Sequence, residues 1–105
     1  MKKSNAEKRV KALGWKDGTV AEFLKLTPEE SALIEIKLAL SRRLRERRLR
    51  RMSQAQLAKK LQSSQSRIAK AETGDSSVSI ELLVRAMLAT GATPREIGKT
   101  IANKA

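Results

Sequence analysis

Apolar side chains along this chain recur with the period of a helix and nowhere with the alternation of a strand. From Pro28 to about Arg51 the positions Leu33, Ile36, Leu40 and Leu44 form one stripe at helical spacing. Ile34 and Leu38 lie off that stripe, so the first half of this long helix is apolar on more than one face. The second half is mostly arginine outside Leu44 and Leu49. A helix apolar most of the way round is buried by more than one neighbour. The preceding segment with Trp15 and Phe23, folded back on the helix, is the preferred cover, and a second subunit is the other.

Four shorter amphipathic runs follow. In "MSQAQLAKKL" Leu57, Ala58 and Leu61 make the apolar face; in "QSRIAKAET" Ile68 and Ala71 point inward and Ala69 is small. "IELLVRAMLAT" predicts a helix with Ile80, Leu83, Val84, Met87 and Leu88 toward the core, and Pro94 to about Asn103 a last one using Ile97 and Ile101. Each start carries a capping residue: Thr27, Ser53, Ser64, Ser79 and Thr93. "TPEE" and "TPRE" place proline at the first helical position and glutamate where it closes a capping box, and Gln56 stands three residues after Ser53 for the same purpose. Gly74 and Gly91 stand where helices stop. The expected fold is all-α with five helices. Residues 1–26 form a basic N-terminal arm with a short apolar segment, and residues 27–105 form the folded domain.

Composition removes whole classes of chemistry. A chain of 105 residues without cysteine has neither disulfides nor thiolate metal sites, and without histidine it lacks the commonest general base and metal ligand. Glu29 and Glu30 are adjacent, so on a helix they diverge by about 100° and do not face one substrate. No pocket-forming Ser–Lys pair and no phosphate-cradling glycine loop stands out. The expectation is a non-enzyme with no cofactor, no metal and no catalytic residues. No apolar run approaches the roughly 18 residues that span a bilayer, and the N-terminus has basic residues without a following apolar stretch, so a cytoplasmic location is expected.

Charge narrows the partners. The formal net charge is +12, and residues 41–60 hold nine basic side chains against one acidic, while residues 21–40 hold two against four. Such concentration suits a polyanion, nucleic acid first; a solvated basic face and a membrane surface are the blander readings.

The stretch "SQAQLAKKLQSSQSRIAKAETG" joins two short helices by only two or three residues, so they must cross steeply. Leu57, Leu61 and Ile68 meet in the angle, and Ala58 is small at the close approach. Gln65, Ser66, Arg67, Lys70 and Thr73 are left pointing outward, with 66, 70 and 73 on one face. These side chains suit base edges: Gln pairs with adenine, Arg and Lys with guanine, Ser with several. The helix start at Ser64 offers free N–H groups to phosphate. The arginine run contributes phosphate contacts from Arg43, Arg50 or Arg51.

This stretch resembles the helix-turn-helix of the Xre type, the lambda-repressor and Cro superfamily, over about Leu38 to Ile101. The resemblance implies a five-helix lambda-repressor-like domain with an extended first helix, whose second motif helix enters the major groove. By position it makes Gln54 a phosphate contact, Gln65, Ser66 and Lys70 base readers, and Arg67 a contact to base or phosphate. It also implies a structural ion pair, assigned here to Arg47 and Glu72. The family's usual glycine after Leu61 is replaced by Gln62, which must then adopt a left-handed conformation. The upstream run "GWKDGTVAEFLKLTPEESALIEIKLALSRRLRERR" is similar to the leader of HigA-like antitoxins, which repress their own operon and neutralise a RelE/HigB-like toxin. The implied function is a homodimeric repressor of a palindromic double-stranded DNA operator; an antitoxin and a non-specific RNA- or ribosome-binding protein are the alternatives.

Overall fold

The computed structural model describes residues 25–103. The expected arm, including Trp15 and Phe23, lies almost wholly outside them. The described chain forms α1 (Pro28–Leu49), α2 (Gln54–Lys60), α3 (Gln65–Thr73), α4 (Ile80–Ala89) and α5 (Pro94–Ala102), and no strand occurs among these residues.

Capping explains where the helices start. All five capping side chains accept a backbone N–H in the first turn, and Thr27/Glu30, Ser53/Gln56 and Thr93/Glu96 close reciprocal capping boxes. α1 stops at Leu49, two residues short of the expected end, because the chain tightens: the N–H groups of Arg51 and Met52 both bond to the Arg48 carbonyl. Once residues 50–52 leave the spiral, Ser53 is free to take the extended conformation that caps α2.

The core is aliphatic. Leu40, Leu44, Leu57, Ile68, Leu83 and Met87 are fully buried, and Ala58, Ala71 and Ala86 let backbones approach between them. α1 is the central strut and packs against α3, α4 and α5. The face of α4 differs from the expected one. Leu82, Leu83, Ala86 and Met87 are buried, Ile80 and Val84 are half-buried, and Leu88 is 45% exposed. α4 touches α1, α2 and α5 together, so its buried sector is set by three neighbours and is rotated from the stripe of largest side chains.

Candidate nucleic-acid interface

The turn between α2 and α3 is built from hydrogen bonds of the Schellman type. Ser63 N–H reaches back to the Ala58 carbonyl at 2.8 Å and Gln62 N–H to Lys59 at 3.1 Å. Gln62 stands at the left-handed position of that motif with φ +53°, the conformation anticipated from the sequence. A side chain there costs roughly 1 kcal/mol relative to the αR region. Ser64 then caps α3 by accepting the Arg67 N–H at 3.2 Å.

α3 has two unlike sides. Ile68, Ala71 and Glu72 are buried against the domain, whereas Gln65, Ser66, Arg67, Lys70 and Thr73 are exposed. The expected outward set is therefore brought together on one side of one helix. Ser64 and Ser66 hydroxyls lie 3.2 Å apart at its start, and Thr73 Oγ1 donates to the Lys70 carbonyl at 3.0 Å. α3 ends at Gly74, φ +75°, where an added Cβ would come within 2.7 Å of Leu38 Cδ2 on α1. Glycine thus both ends the helix and admits the close approach of α1.

A polar relay ties the buried side of α3 to its exposed side. Glu72 accepts from two nitrogens of Arg48, with Nη2 to Oε1 at 2.9 Å, and its carboxylate is almost fully enclosed. The same Oε1 accepts from Gln54 Nε2 at 3.1 Å. Gln54 Oε1 in turn faces Gln65 Nε2 at 3.5 Å, the outer limit of a hydrogen bond. Gln54 is half-buried and held by Glu72, so its side chain is oriented. The bidentate contact with Glu72 raises the Arg48 pKa above its ordinary value.

A family model for the helix-turn-helix matches residues 42–97, more than half of the chain. This protein belongs to the Xre, lambda-repressor-like helix-turn-helix family. At that level it is a DNA-binding transcription regulator, and the matched residues include all of α2 to α4 and the first turn of α5. No curated protein and no solved structure matches the chain.

Within this helix-turn-helix domain the ion pair differs from the expected one by a single residue. Glu72 is paired with Arg48, not Arg47. Leu40, Leu44 and Arg48 share one i,i+4 row of α1, and that row faces α3; Arg47 is turned about 100° away. Arg47 is buried against the junction of α4 and α5. There its Nη1 meets Glu96 Oε2 at 2.8 Å, and its Nε and Nη2 donate to Thr90 Oγ1 and the Thr90 carbonyl. The row through the two buried leucines was visible in the sequence, but that it is the row facing α3 is a tertiary fact.

The arginine run divides accordingly. Arg47 and Arg48 are structural, Arg43 pairs with Glu46 at 3.2 Å, and Arg51 Nη1 donates to the Arg47 carbonyl. Arg42, Arg45, Arg50 and Arg51 are exposed, as are Lys59 and Lys60 on α2, although Lys60 Nζ also donates to the Ala89 carbonyl. Among the described residues no helix is long and apolar enough to cross a membrane.

Proposed function

We propose that this regulator is a sequence-specific repressor that binds a palindromic double-stranded DNA operator as a homodimer and acts on its own promoter. The observation that carries the reading is the polar outward side of α3, presented by a buried apolar and ionic underside. In this reading Gln65, Ser66 and Lys70 meet base edges, Arg67 a base or phosphate, Thr73 the far end of the contact, and Gln54 with the Ser64-capped start of α3 the phosphates. The 3.5 Å approach of Gln54 to Gln65 supports a joint contact, in which one amide steadies the other on the duplex. One such helix buries too little surface for tight specific binding, so two copies at half-sites about one turn apart are required. This reading keeps the division expected from the sequence, a basic N-terminal arm with a short apolar segment in residues 1–26 and a DNA-binding domain in residues 27–105. No catalytic group and no cofactor is assigned, and the site of action is the cytoplasm.

Selection of bound duplexes from a random pool at physiological salt tests this. The expected product is a two-fold symmetric sequence with half-sites about 10–10.5 base pairs apart. Recovery of no preferred sequence, with single-stranded RNA bound equally well, would instead identify a non-specific basic RNA- or ribosome-binding protein. A second role as an antitoxin against a RelE/HigB-like toxin is supported by the leader "EFLKLTPEE" alone. A gene neighbourhood without a small toxin reading frame removes it.

A further inference from the structure

We propose that the N-terminal half of α1 is a docking surface occupied by the chain's own residues 10–24. The surface is apolar and incompletely covered. Leu33 is 47% exposed, Ala32, Ile34 and Leu38 are half-buried, and the fully buried part of α1 begins only at Ala39. α3, α4 and α5 cover the rest of α1, and on the N-terminal half they reach only Ile36, which packs on the core, and Leu38, which lies under Gly74.

Three observations select the occupant. The first is tethering. The described chain begins at Lys25, two residues before the Thr27 cap, so 24 residues lead directly onto this end of α1. Leu33 to Leu38 lie about 9–17 Å along the helix from Thr27. Trp15 is ten residues before Lys25, and ten extended residues reach at most about 36 Å, enough to cover the whole surface. A segment so tethered competes at high effective concentration against any second molecule. The second is direction. Lys25 has φ +55°, a conformation uncommon for a side-chain-bearing residue, so the backbone turns there, two residues before the Thr27 cap. The third is chemistry. Residues 10–24 hold Val10, Leu13, Trp15, Val20, Phe23 and Leu24, including the only two aromatic side chains of the protein. Residues 10–24 carry Lys11 and Lys16 against Asp17 and Glu22, while residues 28–38 carry Glu29, Glu30 and Glu35 against Lys37. An apolar segment without net charge is matched to an apolar helix face, and the match rests on the apolar side chains. Covering that face within one subunit also keeps it from pairing with a second copy.

Trp15 is the only tryptophan, so its fluorescence in the full-length protein without DNA reads the contact directly. The expected emission is blue-shifted, protected from acrylamide quenching and independent of protein concentration. Leu33→Glu, at a half-exposed site that the core does not use, is expected to shift the emission to that of the denatured chain with helical circular dichroism unchanged. Ile34→Lys serves as a second variant with the same expectation. A Trp15 already exposed in the wild type overturns the proposal, as does a protected Trp15 that neither variant releases. Protection that grows with concentration together with a doubled mass also overturns it, in favour of a second copy on this face.

Discussion

The two sides of α3 use the same nine residues for different ends. Its buried side, Ile68, Ala71 and Glu72, is fixed by packing and by the bidentate pair with Arg48. Its outward side, Gln65, Ser66, Arg67, Lys70 and Thr73, has few partners within the protein beyond its own helix and Gln54. The contrast teaches how a short helix can hold one polar side clear of the domain. A nine-residue helix is marginal alone, so its rigidity has to come from the side that faces the domain. The other side is then relieved of any structural duty. Substitutions should divide in the same way, with inward changes costing stability and outward changes costing recognition.

The largest effect is expected at the ionic end of the buried side. Glu72→Ala strands the Arg48 guanidinium in a nearly closed site and frees Gln54. Denaturant unfolding should show a loss of about 3–5 kcal/mol, the range for breaking a buried pair by removing one partner. Replacing Arg48 and Glu72 together by apolar residues of similar volume should restore much of that loss. Ile68→Ala removes a fully buried side chain and should cost about 2–4 kcal/mol with no change in which DNA sequence is preferred. If either variant proved as stable as the wild type, the distinction between the two sides would fail.

On the outward side, Lys70→Ala or Gln65→Ala should leave unfolding within about 0.5 kcal/mol of wild type. Acid sharpens the contrast from another direction. Glu96 is held below the ordinary carboxylate range chiefly by the Thr93 N–H, with Arg47 contributing, and Asp75 is lowered by its hydrogen bonds from Ser77. A folded-state pKa below the unfolded one means that the stabilisation is complete above the unfolded value. It is lost as pH falls through the folded one. Thermal melts should therefore be flat from pH 8 to about 5 and decline below about pH 4. The outward side of α3 has no acidic group and the protein has no histidine, so DNA preference should not vary between pH 5.5 and 8. The smallest effect is expected at the turn. Gln62→Gly relieves the left-handed backbone, offset by the greater freedom of glycine in the unfolded chain, for a net gain of about 0.5 kcal/mol.

Local signals carried most of the fold into the sequence. The capping residues, the two Thr-Pro starts and the glycine stops act within a few residues of themselves, so they are legible without knowing what lies nearby. The outward set on α3 was legible for a related reason: Ile68 and Ala71 fix the inward direction and the rest follows from helical geometry. What failed to show was tertiary. Arg47 and Arg48 are chemically identical neighbours, and only the position of α3 against the Leu40–Leu44 row decides which of them meets Glu72. Leu88 looked like a core residue until three neighbours of α4 set a different sector. The bond from Gln54 to Glu72 joins residues from two helices and has no one-dimensional signature.

The most direct measurement is the affinity of Gln65→Ala for the selected operator and for versions of it changed at single base pairs. The account predicts that the variant stops distinguishing bases at one position in each half-site, a loss of about 1–3 kcal/mol of discrimination there. Preference elsewhere and the melting temperature should stay as they were. Equal weakening on every duplex, or unaltered discrimination at all positions, would contradict it.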